Sequence, residues 1–343
     1  MKYSNYQEYL KIWIDILTPK QLLFSEPIIE RLEEKHEILC TSREYHEVSK
    51  LAKIRHFDLI FVGKHGGGDK KSKLKASIER MGKLSKKIKR FEPDLVISFG
   101  SPEAARISFG LGIKHIMFCD SPHANAVMKL TLPLIQKLLI PYVIPKKEFS
   151  KYGINEKDIV QYKAIDAVVT MKRKIDKNLN SPFKNNNKKN ILIRVEEEEA
   201  AYTSKSSKII PIIQKITKDY KNENVVVLGR YTKQINNLQK IIGNKVKIVK
   251  MSFDGKFLLN KTDIFIGSGG TMTAESALMG IPTISYNAVP NIVEEFLVKK
   301  SLVKRETNPN KVSNHIKKIF ETKNDQNQKR AKKIVKEMED PIE

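Results

Sequence analysis

The stretch DIFIGSGGTMTAESALMGIPTISYN, residues 263–287, decides the fold. Residues 263–267 form a short apolar run of strand character, punctuated by Ser268-Gly269-Gly270. Residues 271–279 have helix composition, Gly280 stands where a helix stops, and Pro282 blocks continuation. A second strand begins at Thr283. A strand that turns through Ser-Gly-Gly into a helix leaves backbone N–H groups at the positive end of a helix dipole, unshielded by side chains. Such a turn suits an anion. Glu275, about one turn further in, would repel a bare phosphate but can accept hydrogen bonds from a sugar diol beyond it, so the pair fits a nucleotide diphosphate. The same residues would also make an ordinary tight turn followed by a first-turn acid that favours the dipole.

Outward from this stretch, strands and helices alternate. In the first half, strand-like runs at 11–17, 38–41, 58–62, 94–99 and 115–119 are separated by helical patterns at 19–35, 48–54, 72–91 and after Gly100-Ser101-Pro102. In the second, strands at 191–195, 225–228 and 245–249 alternate with helices at 205–220, 232–242 and 254–261, followed by the opening stretch, a helix at 291–300 and a charged helix over 311–339. This alternation predicts an α/β protein of parallel βαβ units in two Rossmann-like domains. The expected divisions are an extension at 1–10, a first domain at 11–171, a polar Asn-rich linker at 172–190, a second domain at 191–310 and a C-terminal helix at 311–343. Within 72–91, Leu74, Ile78, Met81, Leu84, Ile88 and Phe91 recur at helical spacing and should pack on the sheet. The Lys/Arg face opposite is either solvated or set against anionic headgroups. Residues 127–144 are the most apolar of the chain, broken by Pro133 and Pro141, and read as a buried helix or as a greasy wall for a lipid-linked acceptor.

Ligands of such sheets sit beyond the carboxyl ends of the strands. In the first domain that rim would gather the acceptor-side candidates Asp15, Thr18, Lys20, His65, Gly66, Gly67 and Glu103, with His123 as a general base oriented by Asp120. A lone histidine is as readily structural. In the second domain, Arg194 and Arg230 close two strands and could grip phosphate bidentately, or pair with the Glu196–Glu199 run. Met251 and Ser252 precede a helix start at Asp254. Adjacent carboxylates do not converge on an ion and no Asp-x-Asp occurs, so neither a metal nor a cofactor beyond the co-substrate is expected.

The 343 residues carry 63 Lys and Arg against 39 Asp and Glu, a formal charge of +24. The excess is mostly Lys, without zinc-ligand spacing or an aromatic-basic RNA signature, which argues against nucleic acid. Cys40 and Cys119 are too few for a disulfide framework. Residues 1–10 lack the apolar core of a signal peptide, and no apolar run reaches membrane length. A cytoplasmic protein is expected, peripheral at most to the inner face of the membrane.

Ser268, Gly269, Glu275, Ala277, Gly280 and Pro282 stand as Ser-Gly-x5-Glu-x-Ala-x2-Gly-x-Pro, which resembles the donor segment of GT-B glycosyltransferases, especially the N-acetylglucosaminyltransferase of peptidoglycan synthesis. The UDP-N-acetylglucosamine 2-epimerases have a similar Ser-Gly-Gly with the Glu one residue earlier. KIWIDILTPKQLLF, SPEAARISFGLGI, DSPHANAV and SGGTMTAESA together resemble the domain of unknown function 354 family, itself GT-B-like. The resemblance implies two domains facing a central cleft, a terminal helix crossing back, a turn holding the pyrophosphate of a UDP-sugar, a Glu on the ribose and main-chain contacts near Met251 and Ser252 to the uracil. It implies metal-independent transfer to an unidentified acceptor. Leu17-Thr18-Pro19-Lys20 replaces the Gly-rich acceptor loop of the peptidoglycan enzyme, which points to a different acceptor. A 2-epimerase is the alternative, although its histidine and carboxylate set is not recognisable. A non-catalytic basic protein docking on membrane or nucleic acid is a second.

Overall fold

The computed structural model describes residues 9–175, 180–184, 186–196, 209–229, 232–243, 246–250, 254–288, 290–322 and 325–343. The chain divides into two compact units: one runs to Tyr162 and includes residues 342 and 343, the other is Lys163–Pro341. The first contains β1 (Lys11–Ile16), α1 (Pro19–Leu32), β2 (Glu37–Glu44), α2 (His46–Ile54), β3 (Ile60–Lys64), α3 (Lys70–Phe91), β4 (Leu95–Ser98), α4 (Pro102–Leu111), β5 (Lys114–Phe118), α5 (Asn125–Thr131), β6 (Lys137–Pro141), α6 (Lys147–Ser150) and β7 (Ile159–Tyr162). Its seven strands lie in the order β3-β2-β1-β4-β5-β6-β7, every pair parallel. Helices cover both faces, so β1 is apolar on both sides. Ile12, Ile14 and Ile16 join Leu22, Ile29 and Val48 on one face. Trp13 joins Val62, Leu84, Ile88 and Val96 on the other.

The second unit contains α7 (Ala167–Lys172), β8 (Asn190–Arg194), α8 (Ile209–Asp219), β9 (Asn224–Gly229), α9 (Thr232–Ile242), β10 (Lys247–Lys250), α10 (Gly255–Leu259), β11 (Ile264–Gly267), α11 (Thr271–Leu278), β12 (Thr283–Ser285), α12 (Ile292–Lys299), β13 (Val303–Arg305), α13 (Pro309–Glu321) and α14 (Asp325–Lys336). Its six parallel strands run β10-β9-β8-β11-β12-β13. Ile191 and Ile193 pack with Ile212 and Ile216 on one face, Leu192 with Phe257, Phe265 and Met272 on the other. In each sheet the strand order reverses between the first strand and the fourth, at β1/β4 and at β8/β11. Those switch points are where a parallel sheet opens a crevice beyond its carboxyl edge. The expected α/β class with two Rossmann-like units is the observed one.

Several segments depart from expectation. Residues 127–144 are not one helix: α5 gives way to a 3-10 turn at Leu132–Leu134 and then to β6, paired on both sides. A strand buried on both faces reads as a continuous apolar run, which periodicity cannot distinguish from a buried helix. Leu74 and Ile78 are 63% and 56% exposed instead of packed on the sheet. The buried row of α3 is Arg80, Leu84 and Ile88, and Leu74 and Ile78 lie on the neighbouring row. A helix of 22 residues is also about 33 Å long, twice the length of the five-residue β3 it covers, so its first turns overhang. The charged C-terminal segment is two helices, with Asn308 capping α13 through bonds from Asn310 N and Lys311 N. Residues 172–190 contribute buried side chains to the second unit: Phe183 enters its core and Arg173 an ionic cluster. Arg31 Nη1 donates to the Ile342 carbonyl at 3.1 Å within the first unit. Among the described residues no helix is long and apolar enough to cross a membrane.

Candidate functional site

The turn between β11 and α11 is built from its glycines. Gly269 has φ +97°, a conformation a side chain resists. A Cβ on Gly267 would come within 2.5 Å of Phe265 Cε1 and Thr273 Oγ1. Gly270 is open, with only Ser268 Oγ at 4.0 Å from where its Cβ would stand.

The β12–α12 connection backs this turn and takes its carbonyls one after another. Tyr286 N donates to Gly267 O at 3.0 Å, Ala288 N to Ser268 O at 3.1 Å, and Asn291 Nδ2 to Gly269 O at 3.0 Å. Asn291 Oδ1 meanwhile caps α12 by accepting from Glu294 N at 2.9 Å. Gly269 N is spent on Thr273 Oγ1 at 3.2 Å, and Thr273 N and Ala274 N bond Gly270 O. The N–H groups of Gly270, Thr271 and Met272 are left with no partner among the described residues. With three carbonyl dipoles tied behind it, the turn presents donors only, at a helix amino end. That arrangement attracts negative charge.

Glu275 is 2% exposed. Its Oε1 accepts from Arg173 Nη1 at 3.1 Å, and Arg173 Nη2 reaches Asp254 Oδ1 at 2.8 Å. Asp254 caps α10 through Lys256 N at 2.8 Å. Burial would lower the Arg173 pKa, but Glu275 and Asp254 overcome this and raise it. Arg194 is buried at the end of β8 and donates from Nη1 to Gly229 O at 3.1 Å, bridging two strand ends. Arg230, Met251 and Ser252 lie outside the described residues.

In the first unit the rim residues separate into two groups. Asp15 is enclosed: Oδ1 accepts from Thr41 Oγ1 at 2.7 Å and Arg80 Nη2 at 2.6 Å, Oδ2 from Ser101 Oγ at 2.6 Å and Arg80 Nη1 at 3.1 Å. Burial alone would raise its carboxyl pKa, but the Arg80 charge and these bonds hold it below the ordinary range. Glu103 belongs to the same buried cluster, accepting from Ser77 Oγ at 2.8 Å with Oε2 3.6 Å from Arg80 Nη1. These two carboxylates anchor the interior end of the rim.

The second group faces outward. Lys20 pairs with Asp120 and lies 4.5 Å from the centre of the Phe99 ring. Ser121 Oγ donates to Asp120 Oδ1 at 2.8 Å. Thr18 caps α1 through Gln21 N at 3.4 Å, and Gln21 Nε2 ties that turn to Phe99 O at 2.6 Å. His123, half-buried after β5, has its imidazole pKa pushed down by burial and by Lys20, against an opposing effect of Asp120. A neutral imidazole can accept a proton. His65 stacks on Tyr45 with centroids 4.9 Å apart and accepts from Gly67 N at 3.1 Å. Gly66 has no room for a Cβ, which would stand 2.6 Å from Lys73 Cα, and Gly67 has φ +71°. That loop is therefore packed against the start of α3.

Sequence reasoning missed Arg173, Arg80, Gln21 and Asn291. Asn291 left a readable trace, an Asn followed three residues later by a Glu at a helix start. The arginines left none, because their partners lie far away in sequence.

Two parallel-sheet α/β units, with a donor-only turn at the switch point of the second, define a GT-B-type fold. The chain belongs to the family described as "Protein of unknown function (DUF354)", matched over residues 10–343. An uncharacterised protein of Methanocaldococcus jannaschii is 29% identical over 345 residues, covering 97% of this chain and 96% of that one. Among solved structures, UDP-GlcNAc 2-epimerase from Neisseria meningitidis bound to UDP-GlcNAc superposes with a TM-score of 0.72 at 16% identity, over 94% of each chain. MurG of Acinetobacter baumannii gives 0.53 at 13% identity, over 96% of this chain and 94% of that one. At such identities the likeness is one of fold.

Proposed function

We propose that this protein is a sugar-nucleotide enzyme that binds a UDP-linked sugar in its second unit and transfers the sugar to an acceptor hydroxyl held by the first. The observation carrying this reading is the turn at 268–272, with its carbonyls tied back and three N–H groups free beside the buried Glu275. The diphosphate rests on those N–H groups and Glu275 receives the ribose hydroxyls. Arg194 supplies further positive charge near the same sheet edge. The neutral His123, set by Asp120, removes the acceptor proton as the acceptor oxygen bonds to the anomeric carbon and the bond to UDP breaks with inversion. N–H dipoles and guanidinium stabilise the departing diphosphate. The acceptor is an alcohol of unassigned structure, and a lipid-linked one would bring the enzyme to a membrane surface.

A second reading is UDP-GlcNAc 2-epimerisation, the activity named for the Neisseria meningitidis neighbour, which shares this fold at a TM-score of 0.72. Calorimetric titration with UDP tests the shared part, and lack of binding would overturn both. Incubation of UDP-GlcNAc with the protein alone separates them, because epimerisation proceeds without an acceptor and transfer does not. Tight, salt-sensitive binding to anionic vesicles with no UDP affinity would instead support a non-catalytic docking protein.

A further inference from the structure

Arg173, Asp254 and Glu275 form a buried ionic cluster in which one cation faces two carboxylates, one at the start of α10 and one on α11. The guanidinium divides its fork: Nη2 holds Asp254 Oδ1 at 2.8 Å, while Nη1 holds Glu275 Oε1 at 3.1 Å and also bonds the Thr170 carbonyl. Lys256 Nζ in turn donates to the Arg173 carbonyl, fixing the backbone from which the side chain departs. Glu275 is thereby fixed through one oxygen only. Its Oε2 receives no hydrogen bond among the described residues. The residue beside that oxygen is Gly255, where a Cβ would stand 3.7 Å away, so no side chain covers it from α10. Glu275 is buried as a residue, yet this oxygen is not among the fully enclosed side-chain atoms that lack a partner, so it opens toward solvent, where a carboxylate oxygen is normally donated to. One locked in place and left half-satisfied is a ready acceptor for an O–H group arriving with a ligand.

We propose that Arg173 is the positioning residue of the nucleotide site, clamping Glu275 so that Oε2 is aimed at the vicinal hydroxyls of the ribose. The inference rests on the sugar-nucleotide reading above. It goes further in assigning the geometry to a residue that touches no ligand. A lysine could not replace the clamp, because its single nitrogen cannot grip two carboxylates from different helices with a planar fork.

The test compares UDP with 2′-deoxy-UDP by calorimetry. The wild type should bind UDP roughly tenfold or more tightly than the deoxy ligand, the size of a hydrogen bond to a charged acceptor. Arg173→Lys should bring that ratio close to one while changing 2′-deoxy-UDP affinity by no more than about twofold, and Glu275→Gln should do the same. If Arg173 merely held the fold, both ligands would weaken together and the ratio would persist, which overturns the inference. Should Arg173→Lys fail to fold, the double variant Arg173→Gln with Asp254→Asn removes one charge of each sign, keeps an amide cap on α10 and answers the same question. A wild type that binds UDP without discriminating the ribose refutes the Glu275 contact alone. A wild type that binds neither ligand refutes the sugar-nucleotide reading itself.

Discussion

Asp15 and Arg80 offer the sharpest test of whether the first unit's rim carboxylates serve the fold or the reaction. Both are almost fully buried, at 1% exposure each, and they are joined by two hydrogen bonds of 2.6 and 3.1 Å. Asp15→Asn keeps the shape of the side chain but removes its charge and one acceptor. Arg80 is then left inside the protein with Glu103 Oε2, 3.6 Å away, as its remaining ion-pair partner among the described residues. Breaking a buried pair by removing one member costs about 3–5 kcal/mol, because the surviving charge stays desolvated. For a unit of this size 1 kcal/mol moves the melting point by about 2–4 °C, so Asp15→Asn should lower Tm by roughly 6–20 °C. Differential scanning calorimetry reads this directly. Adding Arg80→Met should recover part of the loss, since the stranded guanidinium is gone, while Glu103 gives up its 3.6 Å ion pair and keeps the bond from Ser77. The structural account is refuted if Asp15→Asn melts within about 2 °C of the wild type, a shift worth no more than about 1 kcal/mol. Normal melting with lost turnover would reassign Asp15 to the chemistry.

The other predictions concern pH, the turn and the base. His115 is buried between Ser98 and Ser108, with its pKa lowered to about 4 by burial from an ordinary 6.5. The unfolded chain takes up that proton first, so full stability is present above pH 6.5 and declines as pH falls toward 4, by about 3 kcal/mol. His115→Gln should flatten that acid limb in urea melts at pH 7 and pH 4. Gly269→Ala should weaken UDP binding and lower stability by about 1–2 kcal/mol because its φ is +97°, whereas Gly270→Ala, with φ −87° and open space, should fold normally. Asn291→Ser keeps a capping oxygen for α12 but releases the Gly269 carbonyl; stability should hold within about 0.5 kcal/mol while UDP affinity drops several-fold in calorimetry. His123→Gln should reduce turnover at least about a hundredfold with UDP affinity unchanged, measured by product formation once an acceptor is in hand.

The α/β class and the turn at 268–270 were legible because their signals are local: apolar runs, a Gly pair, and a stop at Gly280 followed by Pro282. Capping residues such as Thr18, Ser101 and Asp254 announce helices within three or four positions for the same reason. What stayed hidden depends on distance. Arg80 looks like one more basic residue on a lysine-rich helix until Asp15, 65 positions earlier, is known to sit beneath it. Arg173 lies in a stretch whose composition reads as linker, and its partners come 81 and 102 positions later. The strand β6 was concealed because burial on both faces erases the period-two alternation that would have distinguished it.

Gly280 has φ +76° and no space for even a methyl group, which would fall 2.7 Å from the Gln328 Cα of α14. The two backbones are therefore in direct register contact at the far end of α11, with no flexible side chain between them to absorb a shift. If a ligand that stiffens the amino end of α11 also quiets α14 through this contact, deuterium uptake at amides 328–334 should slow on adding UDP.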